Sequence, residues 1–100
     1  MQIVKNEVDE ETINIKPVGR LDISSAADFK KEVTETVEKY KNLILDFSEI
    51  TFISSIGLSG LLELSRLMND KHGSMKLINV SFDVMYIFNI TGFDKILNIE

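Results

Sequence analysis

The N-terminal segment alternates apolar and polar residues, which is typical of β-strands with one buried face. Ile13 and Ile15 alternate with polar neighbours, and a weaker run at residues 2–8 precedes them across an acidic turn at residues 9–11. Pro17 follows the second run. Because proline has no N–H to donate, we expect the hydrogen bonding between strands to be absent or irregular at this position. We therefore expect two consecutive strands at the start of the chain.

The next segment has apolar residues at intervals of three and four, which predicts an amphipathic helix. Its apolar positions are Ala26, Phe29, Val33, Val37 and Tyr40. Ser24 or Ser25 precedes the helix as a candidate cap, and Ser25 with Asp28 has the spacing of a capping box.

Two further helices follow by the same spacing. The second is expected from about residue 56 to residue 71, with Gly73 placed to end it as a C-terminal cap. Its apolar positions are Leu58, Leu61, Leu62, Leu64, Leu67 and Met68. Ser81 is a candidate cap for the third helix, which should stop at Gly92. The third helix has its apolar positions at Val84, Ile87 and Phe88.

Short apolar runs between the helices indicate buried strands. Residues 43–45 and 77–78 have the composition of strands in a parallel sheet, and Ile96, Leu97 and Ile99 predict a last short strand. The resulting order is ββαβαβαβ. This order predicts an α/β fold in a single domain over residues 1–100, with a mixed, mostly parallel sheet on which the helices pack.

Composition excludes several kinds of site and partner. The chain has 16 acidic and 11 basic residues, one histidine and no cysteine, so disulfides and thiolate zinc sites are ruled out. A net charge of −5 without a basic stripe argues against nucleic-acid binding. The longest apolar run, residues 84–88, is far too short for a membrane span, and no signal peptide is visible. We expect a soluble, cytoplasmic protein that binds no membrane.

The sequence also lacks the parts of an enzyme. His72 lies at the far end of the second predicted helix from Ser54 and Ser55, so no base stands near these serines. The Gly-Leu-Ser-Gly run at residues 57–60 differs from a nucleophile elbow, because its second glycine falls one place early. No spacing indicates a metal site or a phosphate loop. We expect no catalytic activity, no metal and no cofactor.

The segment from residue 51 to residue 62 has no charged residue and places Ser54 and Ser55 at the start of the second helix. A serine at this position commonly caps free N–H groups. The same N–H groups and the positive end of the helix dipole also favour a phosphoryl group, which would add about −1.5 to −2 charges. Capping and a phosphorylation switch both remain open from the residues alone.

Four segments in order resemble the STAS domain of the anti-sigma factor antagonist type, and they cover essentially the whole chain. Residues 19–22 read Gly-Arg-Leu-Asp, close to the family's Gly-x-Leu-Asp, and residues 43–53 resemble the family's third strand and the following loop. Residues 87–96 resemble its C-terminal helix and strand. The family signature Asp-Ser-Ser/Thr-Gly-Leu-Gly is matched at Ser55, Gly57 and Leu58.

The resemblance implies a bacterial regulator of transcription that acts by binding proteins. Family members bind an anti-sigma factor that is also a serine kinase of the GHKL type, and so release a sigma factor. The kinase phosphorylates the first serine of the signature, and a PP2C-type phosphatase restores binding. Here that serine is Ser55, with Ser54 as the alternative acceptor. The resemblance also implies site neighbours at Asp22, Asp46, Ser54 and Gly57, and partner contacts at Ile56, Leu58 and Ser59.

Three positions differ from the signature. Ser54 replaces the family's aspartate, Ile56 its second Ser/Thr, and Ser59 its second glycine. Some STAS domains act without phosphorylation, in transporters or stress-sensing assemblies. A non-phosphorylated scaffold that binds partners through the same face is therefore the alternative prediction.

Overall fold

Five strands and three helices make up the fold in the computed structural model, which describes all of residues 1–100. The strands are β1 (Gln2–Asp9), β2 (Thr12–Leu21), β3 (Asn42–Asp46), β4 (Ile50–Ile53) and β5 (Ser74–Ile78). The helices are α1 (Ala26–Thr36), α2 (Ser55–Asp70) and α3 (Phe82–Thr91), with short 3₁₀ turns at Val37–Lys39 and Phe93–Lys95. None of the helices combines the length and the apolar character that crossing a bilayer requires.

The sheet is mixed and mostly parallel, as predicted. β1 pairs antiparallel with β2, and the order β1-β2-β3-β5 continues with parallel neighbours. β4 pairs parallel with the C-terminal end of β2. Pro17 lies between these two parallel pairings of β2, which use residues 12–15 and 19–21, and it pairs with Ile3 of β1 on the other side.

The strand prediction needs two corrections: one strand was missed, and one predicted strand is absent. β4 was not predicted, because its buried residues Ile50 and Ile53 are three apart and show no alternation. The expected last strand is absent as a strand: Ile99 forms an isolated bridge with Leu77, and Ile96 is exposed. The core nevertheless contains Leu97, which is 5% exposed.

The core lies between the sheet and its helices. Side chains on one face of β2 and β3 are fully buried, and α1 and α2 cover them with residues at the predicted spacing. The main contributors are Ile13, Ile15, Leu43, Leu45, Phe29, Val33, Leu61, Leu64 and Met68. Phe47 and Phe88 pack with ring centroids 6.4 Å apart and join α3 to the loop after β3. The periodicity of the sequence therefore identified the buried face of each helix.

The start of α1 differs from the prediction. Ser25 occupies the N-cap position, but its hydroxyl makes no capping bond. It donates to the Arg20 carbonyl at 2.6 Å and accepts from the Asp22 N–H at 3.1 Å, so it closes the loop between β2 and α1. Ser24 does not cap either, because its hydroxyl donates to Asp22 Oδ1 at 2.6 Å. A capping box at Ser25 is therefore wrong.

The other helix ends mostly follow the sequence. Ser81 caps α3 by accepting from the Val84 N–H at 3.2 Å, and Gly92 ends it with a φ of 80°. At the end of α2 the left-handed residue is His72, with a φ of 59°, and not the predicted Gly73. Gly73 is required for another reason: a Cβ there would lie 1.8 Å from the Lys41 carbonyl oxygen.

Candidate functional site

The N-terminus of α2 is fixed against the end of β2. The Ser54 N–H donates to the Leu21 carbonyl at 2.9 Å. A Cβ on Gly57 would lie 2.8 Å from the Leu21 oxygen and 2.9 Å from Ile53 Cγ1. Only glycine allows the helix to approach the strand this closely, which gives the signature glycine a physical role.

Ser54 and Ser55 occupy different positions at the start of α2. Ser54 is the N-cap, and its hydroxyl oxygen accepts a long bond, 3.5 Å, from the Gly57 N–H. Ser54 thus supplies the cap acceptor at the position where the family carries aspartate. Ser55 is the first helical residue; its side chain is exposed and its hydroxyl makes no hydrogen bond within the chain. The exposed hydroxyl and the structural cap are therefore separate groups.

The first turn of α2 can stabilise an anion. The N–H groups of Ser55 and Ile56 have no backbone acceptor, as expected for the first residues of a helix. The helix that follows has 16 residues, and its dipole places partial positive charge at this end. No acidic side chain lies in the first turn, so the helix itself places no negative charge next to an anion bound there.

The surface beside Ser55 is uncharged and partly apolar. Ile56 is 45% exposed and Ser59 is exposed, so both are accessible to a partner. Leu58 is 6% exposed and belongs to the core, so its side chain is not accessible to a partner. Ile56 and Ser59 remain the candidate contact residues. Ile23, 83% exposed in the loop after β2, is an apolar surface residue that the sequence analysis missed. The sequence feature that could have identified it is an isoleucine within an otherwise polar turn.

Asp22 lies beside the α2 N-terminus, directly after Leu21. The Ser24 hydroxyl and N–H donate to Asp22 Oδ1 at 2.6 and 3.0 Å, and these bonds, with a smaller contribution from Arg20, hold the pKa of Asp22 below its usual value of 3.8. Arg20 lies 3.4 Å from Asp22 and stacks 4.3 Å from the Phe52 ring. The charge of Asp22 is thus engaged locally and orders the loop.

Asp46 is held in a different part of the structure. Partial burial raises its pKa, but hydrogen bonds from Ser48 and Asn79 and the nearby charge of Lys16 outweigh this, so the net pKa is below 3.8. The Ser48 N–H lies 3.0 Å and Asn79 Nδ2 3.2 Å from Oδ1. These bonds join β3 to the end of β5, and none reaches the α2 N-terminus.

The geometry does not assemble a catalytic or metal centre around Ser55. His72 lies at the opposite end of α2, about 25 Å away at 1.5 Å per residue, so it cannot act as a base for this serine. No three histidine, aspartate or glutamate side chains come together in a way that could hold a metal ion. The described arrangement suits anion acceptance and protein contact.

Comparison with known families agrees with this arrangement. The family model of the STAS domain matches residues 4–100. The chain belongs to the STAS domain family. The anti-sigma-B factor antagonist of Bacillus subtilis strain 168 is 25% identical over 92 residues, covering 92% of this chain and 84% of that protein.

Solved structures share the STAS fold with this chain. The Thermotoga maritima protein TM1081 superposes with a TM-score of 0.89 at 23% identity, over 97% of this chain and 84% of that one. The anti-sigma factor antagonist SpoIIAA in its unphosphorylated form gives 0.83 at 21% identity, covering 99% and 88%. Its phosphorylated form, from Bacillus, gives 0.74 at 20% identity, covering 99% and 91%. The predicted family and fold are therefore confirmed.

Proposed function

We propose that this STAS domain is an anti-sigma factor antagonist, which binds an anti-sigma factor and thereby releases a sigma factor in the bacterial cytoplasm. The curated relative, an anti-sigma-B factor antagonist, supports this role. The partner is a serine kinase of the GHKL type that phosphorylates Ser55 and so ends the interaction. A PP2C-type phosphatase restores the unmodified protein. The domain acts by binding and has no catalytic role of its own.

One observation carries the proposal: the Ser55 hydroxyl is exposed and unbonded at the first position of a 16-residue helix. A kinase can reach it without unfolding the domain. Ser54 is the weaker candidate acceptor, because its hydroxyl already caps α2 and its side chain is partly buried.

Phosphorylation is expected to act on binding and not on folding. A phosphate adds about −1.5 to −2 charges at a helix end where negative charge is favourable, so α2 should persist. The adjoining surface, with Ile56 and Ser59, is uncharged. Burying a phosphate there without a compensating partner would cost several kcal/mol. Since about 1.4 kcal/mol is a tenfold change in affinity, the interaction would be lost.

A non-phosphorylated scaffold is the second candidate, and Ile56 favours it. The family's second Ser/Thr is here an isoleucine that is 45% exposed, which suits a constitutive apolar contact. This candidate predicts that Ser55→Ala leaves regulation in cells unchanged, whereas Ile56→Asp disrupts the assembly.

Intact-mass spectrometry with peptide mapping tests the proposal on the full chain incubated with ATP and each purified GHKL-type kinase of its host. We expect one phosphate at Ser55, its loss in Ser55→Ala, and its retention in the matched variant Ser54→Ala. A phosphate at Ser54 would move the acceptor by one residue. No phosphate, with kinases active on another substrate, would contradict the switch and favour the scaffold.

A further inference from the structure

Gly60 is the one glycine of the five without a structural reason to be glycine. Gly19 and Gly92 have positive φ angles, and Gly57 and Gly73 lie against backbone carbonyls. Gly60 is a buried residue in the interior of α2, yet a Cβ there would meet no atom within 4 Å beyond its chain neighbours and the backbone of its own helix. Because glycine is about 1 kcal/mol worse than alanine inside a helix, the fold alone would favour alanine.

The space beside Gly60 is a hollow of about 280 Å³ between α1 and α2. Ala26 and Ala27 line it from α1, and Gly60 lines it from α2. Small side chains on both helices keep it open. A hollow of this size has room for an inserted side chain. We call it the α1–α2 hollow.

The α1–α2 hollow suits an uncharged occupant. The charged residues that line it, Lys30 and Glu63, pair with each other at 2.6 Å, so their charges offset. No buried side-chain polar atom in the chain lacks a hydrogen-bond partner, so no such atom is left to bind a polar ligand. The remaining lining is mainly apolar and includes the exposed Ile56.

The hollow is continuous with the surface beside Ser55. Ile56 and Ser59 line the hollow and also lie next to the exposed serine, since Ser59 is one helical turn beyond Ser55. A partner that covers Ser55 therefore covers the opening of the hollow as well.

We infer that the α1–α2 hollow receives an apolar side chain of the anti-sigma factor, and that Gly60 is retained to keep this space open. This inference rests on the proposed function and adds the chemistry of the contact. The inserted residue is of the size of leucine, isoleucine or methionine. Burying such a side chain strengthens association by about 10- to 100-fold. A phosphate at Ser55 would lie beside the opening, so one modification would also disturb this contact.

Variants that fill the hollow without harming the fold test the inference. Gly60→Ala should raise the Tm by about 4–8 °C, because alanine is the better helix former and has free space. Gly60→Leu fills the hollow from α2, and Ala27→Leu, at an exposed position, fills it from α1. Asn69→Leu is the matched control, since it adds the same side chain to an exposed site near the other end of α2.

Calorimetry against each purified GHKL-type anti-sigma factor of the host provides the affinities. We expect both hollow-filling variants to bind about ten-fold or more weakly than wild type, with Asn69→Leu unchanged. Wild-type affinity in folded Gly60→Leu and Ala27→Leu would overturn the inference and leave the proposed function standing. A lowered Tm in Gly60→Ala would also overturn it, since glycine would then serve the fold. Failure of wild type to bind any of these proteins would overturn the proposed function as well.

Discussion

At the scale of single residues, Gly57 determines how Ser55 is presented. The Leu21 carbonyl oxygen and Ile53 Cγ1 leave no room for a Cβ at this position, and neither the backbone nor the buried isoleucine can move freely. Gly57→Ala should lower the free energy of unfolding by about 1–3 kcal/mol, the usual cost of overpacking. Urea unfolding checks this, with Gly60→Ala as the control that adds the same methyl group in open space. Equal or higher stability in Gly57→Ala would contradict the close approach of α2 to β2.

The sequence located the two serines of the site but not their separate roles. Ser54 and Ser55 are adjacent and chemically alike, so only the helix start shows which one caps and which one is free. Leu58 matches the signature and Ile56 lies two residues before it. In the structure Leu58 is buried, whereas Ile56 is 45% exposed. Asp46 ends β3 and Asp22 directly follows β2, so the sequence places both at the ends of strands. The bond between Asn79 and Asp46 joins residues 33 apart, and no local pattern encodes it.

At the scale of elements, the end of α2 shows how a close backbone contact can move a glycine away from the left-handed cap position. His72 takes the left-handed conformation, its N–H donates to the Asn69 carbonyl at 3.0 Å, and the Gly73 N–H donates to the Met68 carbonyl at 2.8 Å. These are the two bonds of a Schellman motif. The glycine is placed one residue later because the Lys41 carbonyl requires it there.

His72→Gly should therefore stabilise the domain. A side chain in the left-handed region costs about 1–2 kcal/mol. Glycine removes that cost, but it also raises the conformational entropy of the unfolded chain, which offsets part of the gain. We expect a net gain of about 0.5–1 kcal/mol in the free energy of unfolding, measured by urea denaturation at pH 7. His72→Ala, which keeps a Cβ, is the control and should show no such gain. A loss of stability in His72→Gly would mean that the imidazole makes a stabilising contact.

Elements with clear periodicity were predictable, and short irregular ones were not. The three helices appear where apolar spacing of three and four placed them, because each needs one continuous buried face. α1 is shorter than its spacing predicted: it ends at Thr36, Val37–Lys39 form a 3₁₀ turn, and Tyr40 is extended. β4 has four residues and is recognisable only through its pairing with β2. The C-terminal residues Leu97 and Ile99 are apolar because they cover the core and bridge to β5, which does not require a strand.

At the scale of the whole molecule, the residues that stabilise the domain are separate from the proposed phosphorylation site. The core lies between the sheet and its helices, whereas the Ser55 side chain lies at the surface and its hydroxyl contributes no hydrogen bond to the fold. The site is therefore free to change charge while the domain stays folded. The chain has a net charge of −5, so a phosphate increases the total by about a third and places all of the added charge at the start of α2.

The central claim is that negative charge at Ser55 ends partner binding without unfolding the domain. Calorimetry should compare wild type, Ser55→Asp and the control Asn69→Asp for binding to each purified GHKL-type anti-sigma factor of the host, with the Tm of each variant measured in parallel. We predict that Ser55→Asp binds about 100-fold more weakly with a Tm near that of wild type, and that Asn69→Asp binds as wild type. Wild-type affinity in a folded Ser55→Asp variant would contradict the account.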